Sequence, residues 1–288
     1  MPHKRIDLAM PEGGTTTSVI FASPHSGRAY PPQFLAASVL DERSIRSSED
    51  AFVDLLFEHA PMFGAPLLKA NAPRAYVDLN RGAEELDPAV IDGLKSSLAN
   101  ARVSSGLGVI PRVVSNGRAI YRGKITREEA DRRLSEVWHP YHITLSRLTS
   151  ENLKRFGESI LIDCHSMPHE AIETFTRAGA PRPDVVLGDR FGSSASASIV
   201  AMIEAAFVRQ GFAVARNAPF SGAYIVQTYG RPIRHQHAVQ VEIDRSLYMD
   251  EGEVRPSAEF DQIKRRLTLV TEEIASMGRI GSVQLAAE

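Results

Sequence analysis

The sequence is poor in several things that would each have named a function class. Its 288 residues include one cysteine, Cys164, which excludes an internal disulfide and a cysteine-rich zinc site and fits a reducing cytoplasm. No apolar run reaches membrane-spanning length, and the N-terminus lacks the apolar region of a signal peptide. Neither sign of charge dominates: the formal net charge is −2, which marks no nucleic-acid or anionic-membrane surface. No internal repeat, low-complexity tract or linker divides the chain. No G-x-S-x-G elbow supports a serine hydrolase built on Ser26 or Ser166. What remains is an expected cytoplasmic protein acting on small molecules, in which any metal must be held by His, Asp and Glu.

What is present is ordinary for a globular chain, 43% hydrophobic and 24% charged, at a length that suits a single α/β domain over 1–288. Strand-like runs fall at about 17–23, 66–70, 74–79, 159–164, 184–187, 212–215, 223–228 and 237–243. Helical patterns lie between them. The clearest, 127–156, opens on a Thr126–Glu129 capping box. Two more run over 194–210, closed by Gly211, and 257–277, with Ser257 as N-cap and Gly278 just beyond. Strands alternating with long helices predict an α/β sandwich around a mostly parallel or mixed sheet. The stretch 82–120 reads as a long excursion bordering a site.

Two strands end alike. "SVIFASPHSGRAY" (18–30) delivers His25 into a glycine turn, and "ESILIDCHSMP" (158–168) delivers His165. Ligands of open α/β sheets bind outside the carboxyl ends of the strands, so both imidazoles can aim at one point. "SSEDAFVDLLF" offers Glu49 or Asp50 at the start of an apparent amphipathic helix. Two His and one carboxylate with a fourth position open is a catalytic zinc arrangement. His139 and His142 are expected on the surface flank of the long helix. His235 and His237 precede the last strand and are expected to reach the same edge as His165. His169 is cut off from His165 by Pro168. Cys164 points away from the His165 face and reads as a buried, inert thiol.

Further polar groups suit a substrate. "APRAYVDLNR" (72–81) carries Arg74, Arg81 and the Asp78–Asn80 group; a guanidinium fork fits a carboxylate or a carbonyl oxygen gaining charge, and a surface ion pair is the alternative. Glu242 lies inside an apolar strand of "HAVQVEIDRSLYMDE", where a carboxylate needs a partner or a task. General base is one reading, and a buried pair with Arg245 or Arg234 the other. "NAPFSGAYIVQTYGRP" (217–232) supplies Gly222, Tyr224, Tyr229 and Arg231 for substrate contact.

The motifs "SPHSG", "YVDLNR", "DCHS", "FSGAYI…YGRP" and "HAVQVEI…YMDE", in this order over about 18–251, resemble the N-formylglutamate amidohydrolases. The resemblance implies a single-domain three-layer α/β sandwich of the zinc-carboxypeptidase-like (phosphorylase/hydrolase-like) kind, related to aspartoacylase. It implies one zinc ion held by His25, His165 and Asp50, with Glu49 as the alternative third ligand, and Glu242 as general base. Arg74 resembles the arginine that polarises the carbonyl; Arg81 and Asn80 resemble the element that binds substrate carboxylate. The implied substrate is a small N-acyl amino acid, N-formyl-L-glutamate first. Another N-acyl amino acid, or a catalytically silent carboxylate-binding protein, stands as the alternative. Where many deformylases read like "DWHLPRLY", this chain has "DAFVDLLF".

Overall fold

In the computed structural model, which describes residues 4–95, 101–173 and 182–279, the apolar runs that precede His25 and contain His165 are adjacent strands. They belong to a seven-stranded mixed sheet flanked by helices. In chain order its strands are β1 (Ile6–Ala9), β2 (Val19–Ser23), β3 (Leu67–Ala70), β4 (Ser159–Met167), β5 (Val185–Gly188), β6 (Val214–Arg216) and β7 (Gln236–Asp244). In space they run β1-β3-β2-β4-β7-β5-β6. β2, β4 and β7 are parallel neighbours, and β5 returns antiparallel to β7. Buried on both faces, these central strands are continuous apolar runs rather than alternating ones. Val19, Ile20, Phe21, Ile160, Leu161, Ile162, Val239, Val241 and Ile243 are all fully or almost fully buried. At roughly 1.5–3 kcal/mol for each such side chain, the three in β2 are enough to fix that strand, and with it the direction of the chain entering His25.

Two predicted strands are not strands. Residues 74–79 form a buried turn instead, with Tyr76 and Val77 donating to the Pro73 carbonyl and Asp78 N–H to Val109 O. Residues Tyr224–Tyr229 form a helix. Their β-branched and aromatic composition favours a strand, but Gly222 at φ 106° turns the chain, and Ile225 and Val226 on one helical face are buried. Packing overrode propensity. β1 was absent from the expected set. It is a short, half-buried strand with a weak pattern.

The long helical pattern is realised as Arg127–Arg133, a π-helical turn at Leu134–Trp138, and a helix at His139–Phe156. Thr126 caps it by accepting from Glu129 N–H. Pro140 explains the break: it lacks the N–H that an α-helix needs there, and its ring crowds the carbonyl four residues back. The other two helices are Ala197–Arg209, capped by Ser196, and Phe260–Met277. Ser257 bonds Glu259 N–H just ahead of the latter, and the N-cap position itself is Glu259.

By density of contacts the chain forms two compact units: Met1–Asp7, Pro24–Ala51 and Lys69–Thr144 in one, Leu8–Ser23, Phe52–Leu68 and Leu145–Glu288 in the other.

Candidate active site

In the first unit the site begins at His25. Gly27 follows because the chain there presses against its neighbour: a Cβ on Gly27 would run into the Ala72 carbonyl. His25 Nε2–H donates to Asp78 Oδ1 (2.7 Å). A carboxylate only accepts, so this bond fixes the tautomer and turns the Nδ1 lone pair toward Asp50, whose Oδ2 lies 3.3 Å away. Asp50 is not on a helix as expected. It sits in a turn whose N–H donates to the His25 carbonyl, and the helix that follows is only Val53–Leu56. Phe52, at φ 67°, takes a left-handed conformation that side chains rarely adopt, a local cost accepted two residues after Asp50.

Glu49 is engaged elsewhere. It accepts from Tyr30 Oη (2.5 Å) and, through both oxygens, from Arg46 Nε and Nη2 (3.0 Å each). Burial, and then Glu49 itself, pushes the Tyr30 hydroxyl far up, so it stays a donor.

Asp78 is the hub of the "YVDLNR" turn. It accepts from His25, from Arg74 Nε (3.1 Å) and from Asn80 N–H (2.8 Å). Burial alone would raise its carboxyl, but Arg74, His25 and Arg81 outweigh that and hold it well below the usual carboxylate range. Arg81 is 7% exposed, and burial lowers its guanidinium from the ordinary value, with Asp78 opposing. Its Nε donates to Leu107 O and its Nη1 to Asn80 O. The excursion 82–120 thus does border this turn through Leu107 and Val109; its residues 96–100 lie outside the described residues.

In the second unit, strand alternation places the chemistry. Asp163 and His165 are two apart on β4 and share a face, and His165 Nε2 lies 2.9 Å from Asp163 Oδ2. The approach is close, but without the hydrogen-bond geometry that His25 has with Asp78. In register beside His165 on β7 is Glu242, and beside Asp163 is Gln240. Gln240 Nε2 donates to Glu242 Oε1 (2.6 Å), while its Oε1 accepts from Ala223 N–H (3.0 Å). The Gly222–Tyr224 segment is thereby tied to the Glu242 carboxylate. Gly188, in register with Gln240, has no room for a Cβ against Gly222.

Among the described residues, one group can hold a metal ion. His25, Asp50 and His165 are all buried, each offers one ligand atom, and these atoms lie within 4.8 Å of one another. Two imidazoles and a carboxylate, with the His25 ring held from behind by Asp78, match the donor set of a zinc or similar divalent ion.

A model of the N-formylglutamate amidohydrolase family matches residues 17–249. The chain belongs to the N-formylglutamate amidohydrolase family. It is 31% identical over 236 residues to an N-formylglutamate deformylase of Pseudomonas aeruginosa, covering 81% of this chain and 82% of that one. A second deformylase, from Pseudomonas putida, is 28% identical over 238 residues, covering 82% and 83%. The crystal structure of N-formylglutamate amidohydrolase from Ralstonia eutropha superposes with a TM-score of 0.88 at 35% identity, over 96% of this chain and 98% of that one. A gene product of Agrobacterium tumefaciens shares the fold alone, at 15% identity and a TM-score of 0.65 over 96% and 95% of the two chains.

Within this family frame, three sequence expectations need correction. Arg231 is exposed, and its backbone pairs with Gln236 at the start of β7, six residues before Glu242 and so roughly 20 Å down the strand. The structure does not bring it to the Glu242 edge. His235 and His237 also lie at the amino-terminal edge: His237 pairs in register with Ile160 and accepts from Ser196 N–H, and the His235 carbonyl accepts from Ser159. His139 is exposed as expected, but His142 is buried, its Nε2–H donating to Leu79 O (2.9 Å). Burial pushes the His142 ring down to about 4. Tyr224 and Tyr229 are half-buried on one short helix. Arg245 donates to Ser166 Oγ (3.1 Å), on the β4 face opposite His165. Cys164 is buried, and burial followed by the Asp163 charge raises its thiol well above the ordinary value, so it is inert as expected. Gln240 is absent from the sequence expectations, and Asp163 figures there only as a fallback general base, although both stand two positions before a site residue on a strand, where alternation points to them.

Proposed function

We propose that the protein is a zinc-dependent deformylase that hydrolyses N-formyl-L-glutamate to L-glutamate and formate, working as one catalytic domain. The observation that carries this reading is the buried His25–Asp50–His165 group in a chain of this family. These three residues would hold one divalent metal. When bound, the ion supplies Lewis acidity, which polarises an acyl carbonyl and acidifies water near neutral pH. Glu242 takes the proton of the attacking water as its oxygen bonds to the formyl carbon, and returns that proton to the amine nitrogen as the C–N bond breaks. Gln240 donates to Glu242 Oε1 and orients the carboxylate for this. Arg74, anchored by its Nε on Asp78, presents positive charge to the oxygen that becomes an oxyanion. Arg81 and Asn80 hold the substrate α-carboxylate, and the Gly222–Tyr224 segment borders the acyl end.

Metal analysis of purified protein should find about one zinc per chain, and formate release from N-formyl-L-glutamate should stop on chelation and return with zinc. His25→Ala and His165→Ala should each lose the metal; stoichiometric metal retained in both would overturn the assignment. Asp50→Asn should behave like the histidine variants and Glu49→Gln should not.

A further inference from the structure

The π-helical turn and the helix after it carry two N–H groups aimed at the "YVDLNR" turn. Trp138 Nε1–H donates to the Arg81 carbonyl (2.9 Å), and His142 Nε2–H donates to the Leu79 carbonyl (2.9 Å). The residues are four apart, so a helical backbone puts them on one face, and their rings lie 4.1 Å apart, tilted by 36°. Two rings in contact thus brace two alternate carbonyls of one turn. With its ring near pKa 4, His142 is neutral at physiological pH and keeps a single donor for that carbonyl. The Arg81 guanidinium is itself steered by its own turn, since Nη1 donates to Asn80 O, between the two braced carbonyls. Bracing the carbonyls of 79 and 81 therefore helps set where the Arg81 fork points, together with the Leu107 carbonyl that accepts from its Nε. Turns of π-helix are uncommon and often occur at functional sites; here the wider turn ends on Trp138.

We propose that Trp138 and His142 are positioning residues that hold the Asp78–Arg81 turn so that the Arg81 guanidinium meets a substrate carboxylate, a role that rests on the carboxylate-binding reading of Arg81 above. Neither residue needs to touch the substrate. The effect of losing either belongs in ligand affinity and in KM, with kcat spared, because the two braced carbonyls belong to Leu79 and Arg81, while Asp78 keeps its own bonds to His25 and Arg74.

The test compares zinc-loaded wild type with Trp138→Phe, His142→Leu, His142→Gln and Arg81→Ala. Binding of L-glutamate and of its α-amide is measured by calorimetric titration, alongside formate release and melting temperature. Removing one N–H from a buried carbonyl should weaken L-glutamate and raise KM by about ten-fold in Trp138→Phe and in His142→Leu. kcat should stay within about two-fold and binding of the α-amide should not change, since the deleted effect is on the carboxylate. His142→Gln places an amide N–H near the position of Nε2 and should recover most of the loss. Arg81→Ala should abolish the preference for L-glutamate over its amide. Unchanged L-glutamate affinity in Trp138→Phe, which keeps an aromatic ring but has no N–H, would overturn the proposal. So would equal weakening of both ligands, which marks a general packing role, or a wild type that binds L-glutamate no better than its amide. A wild type that discriminates between the two ligands but releases no formate would instead refute the deformylase reading, and the binding comparison would still decide this one.

Discussion

Glu242 is the residue on which chemistry and packing make different forecasts. It is 7% exposed, in a strand whose neighbours are apolar, and Gln240 donates to one of its oxygens. As a general base it must accept a proton, and Glu242→Gln keeps size while removing that capacity. kcat should then fall by roughly 10²–10⁴-fold with metal content and melting temperature near wild type. If the carboxylate instead balances a buried cation, the same change should cost about 3–5 kcal/mol of stability. Single-turnover rate and melting temperature on one sample separate the two, and a variant normal in both would remove Glu242 from the mechanism. At this scale much was legible. Histidines at strand ends and a carboxylate inside an apolar run are visible in the sequence because burial makes such residues expensive without a task. Their partners were less so, because the preference of Asp50 over Glu49 depends on a turn geometry that places Tyr30 and Arg46 around Glu49.

Elements decide how firmly those residues are held. The short helix Tyr224–Tyr229 begins where Gly222, at φ 106°, turns the chain beside Gly188, and a Cβ on Gly222 would collide with the Val226 side chain. Gly222→Ala combines backbone strain with overpacking and should destabilise by about 1–3 kcal/mol. It should also disturb the Ala223–Gln240–Glu242 chain of bonds, so activity should fall further than the stability loss explains. Urea unfolding and formate release measured together check this; a variant of wild-type stability would show that the turn is not constrained as described. A strand is expected where the helix forms because Tyr224, Ile225 and Val226 carry β-propensity, and only contacts from elsewhere in the chain select between the two. The π-helical turn could be traced afterwards to Pro140, yet a proline in a helical pattern signals a break without saying that the break will aim Trp138 and His142 at a distant turn.

For the whole molecule, burial of His142 links folding to pH. Its ring titrates near 6.5 when unfolded and at about 4 when folded. Between those values the unfolded chain binds the extra proton, so stability from this group is complete above pH 6.5 and is lost as pH falls toward 4. The loss is on the order of 3 kcal/mol. Urea unfolding at about pH 7.5 and about pH 4.5 should show a larger drop for wild type than for His142→Gln, which has no titrating ring; equal drops would refute the assignment.

The sequence by itself determined the central strands, the long helices, the mixed α/β class and the two strand-end histidines, because these rest on local periodicity and on where glycine and proline interrupt it. Tertiary structure alone decided which groups meet. His25 and Asp78 are 53 residues apart, and Trp138 and Arg81 are 57 apart. No periodicity spans such distances; the pairs form because the strands and helices that carry them bury their apolar faces, and the polar groups left at the strand ends and turns must then find partners. The same logic sent Arg231 and His237 to the far edge, since position along a strand, and not nearness in sequence to a motif, sets which end of the sheet a side chain occupies.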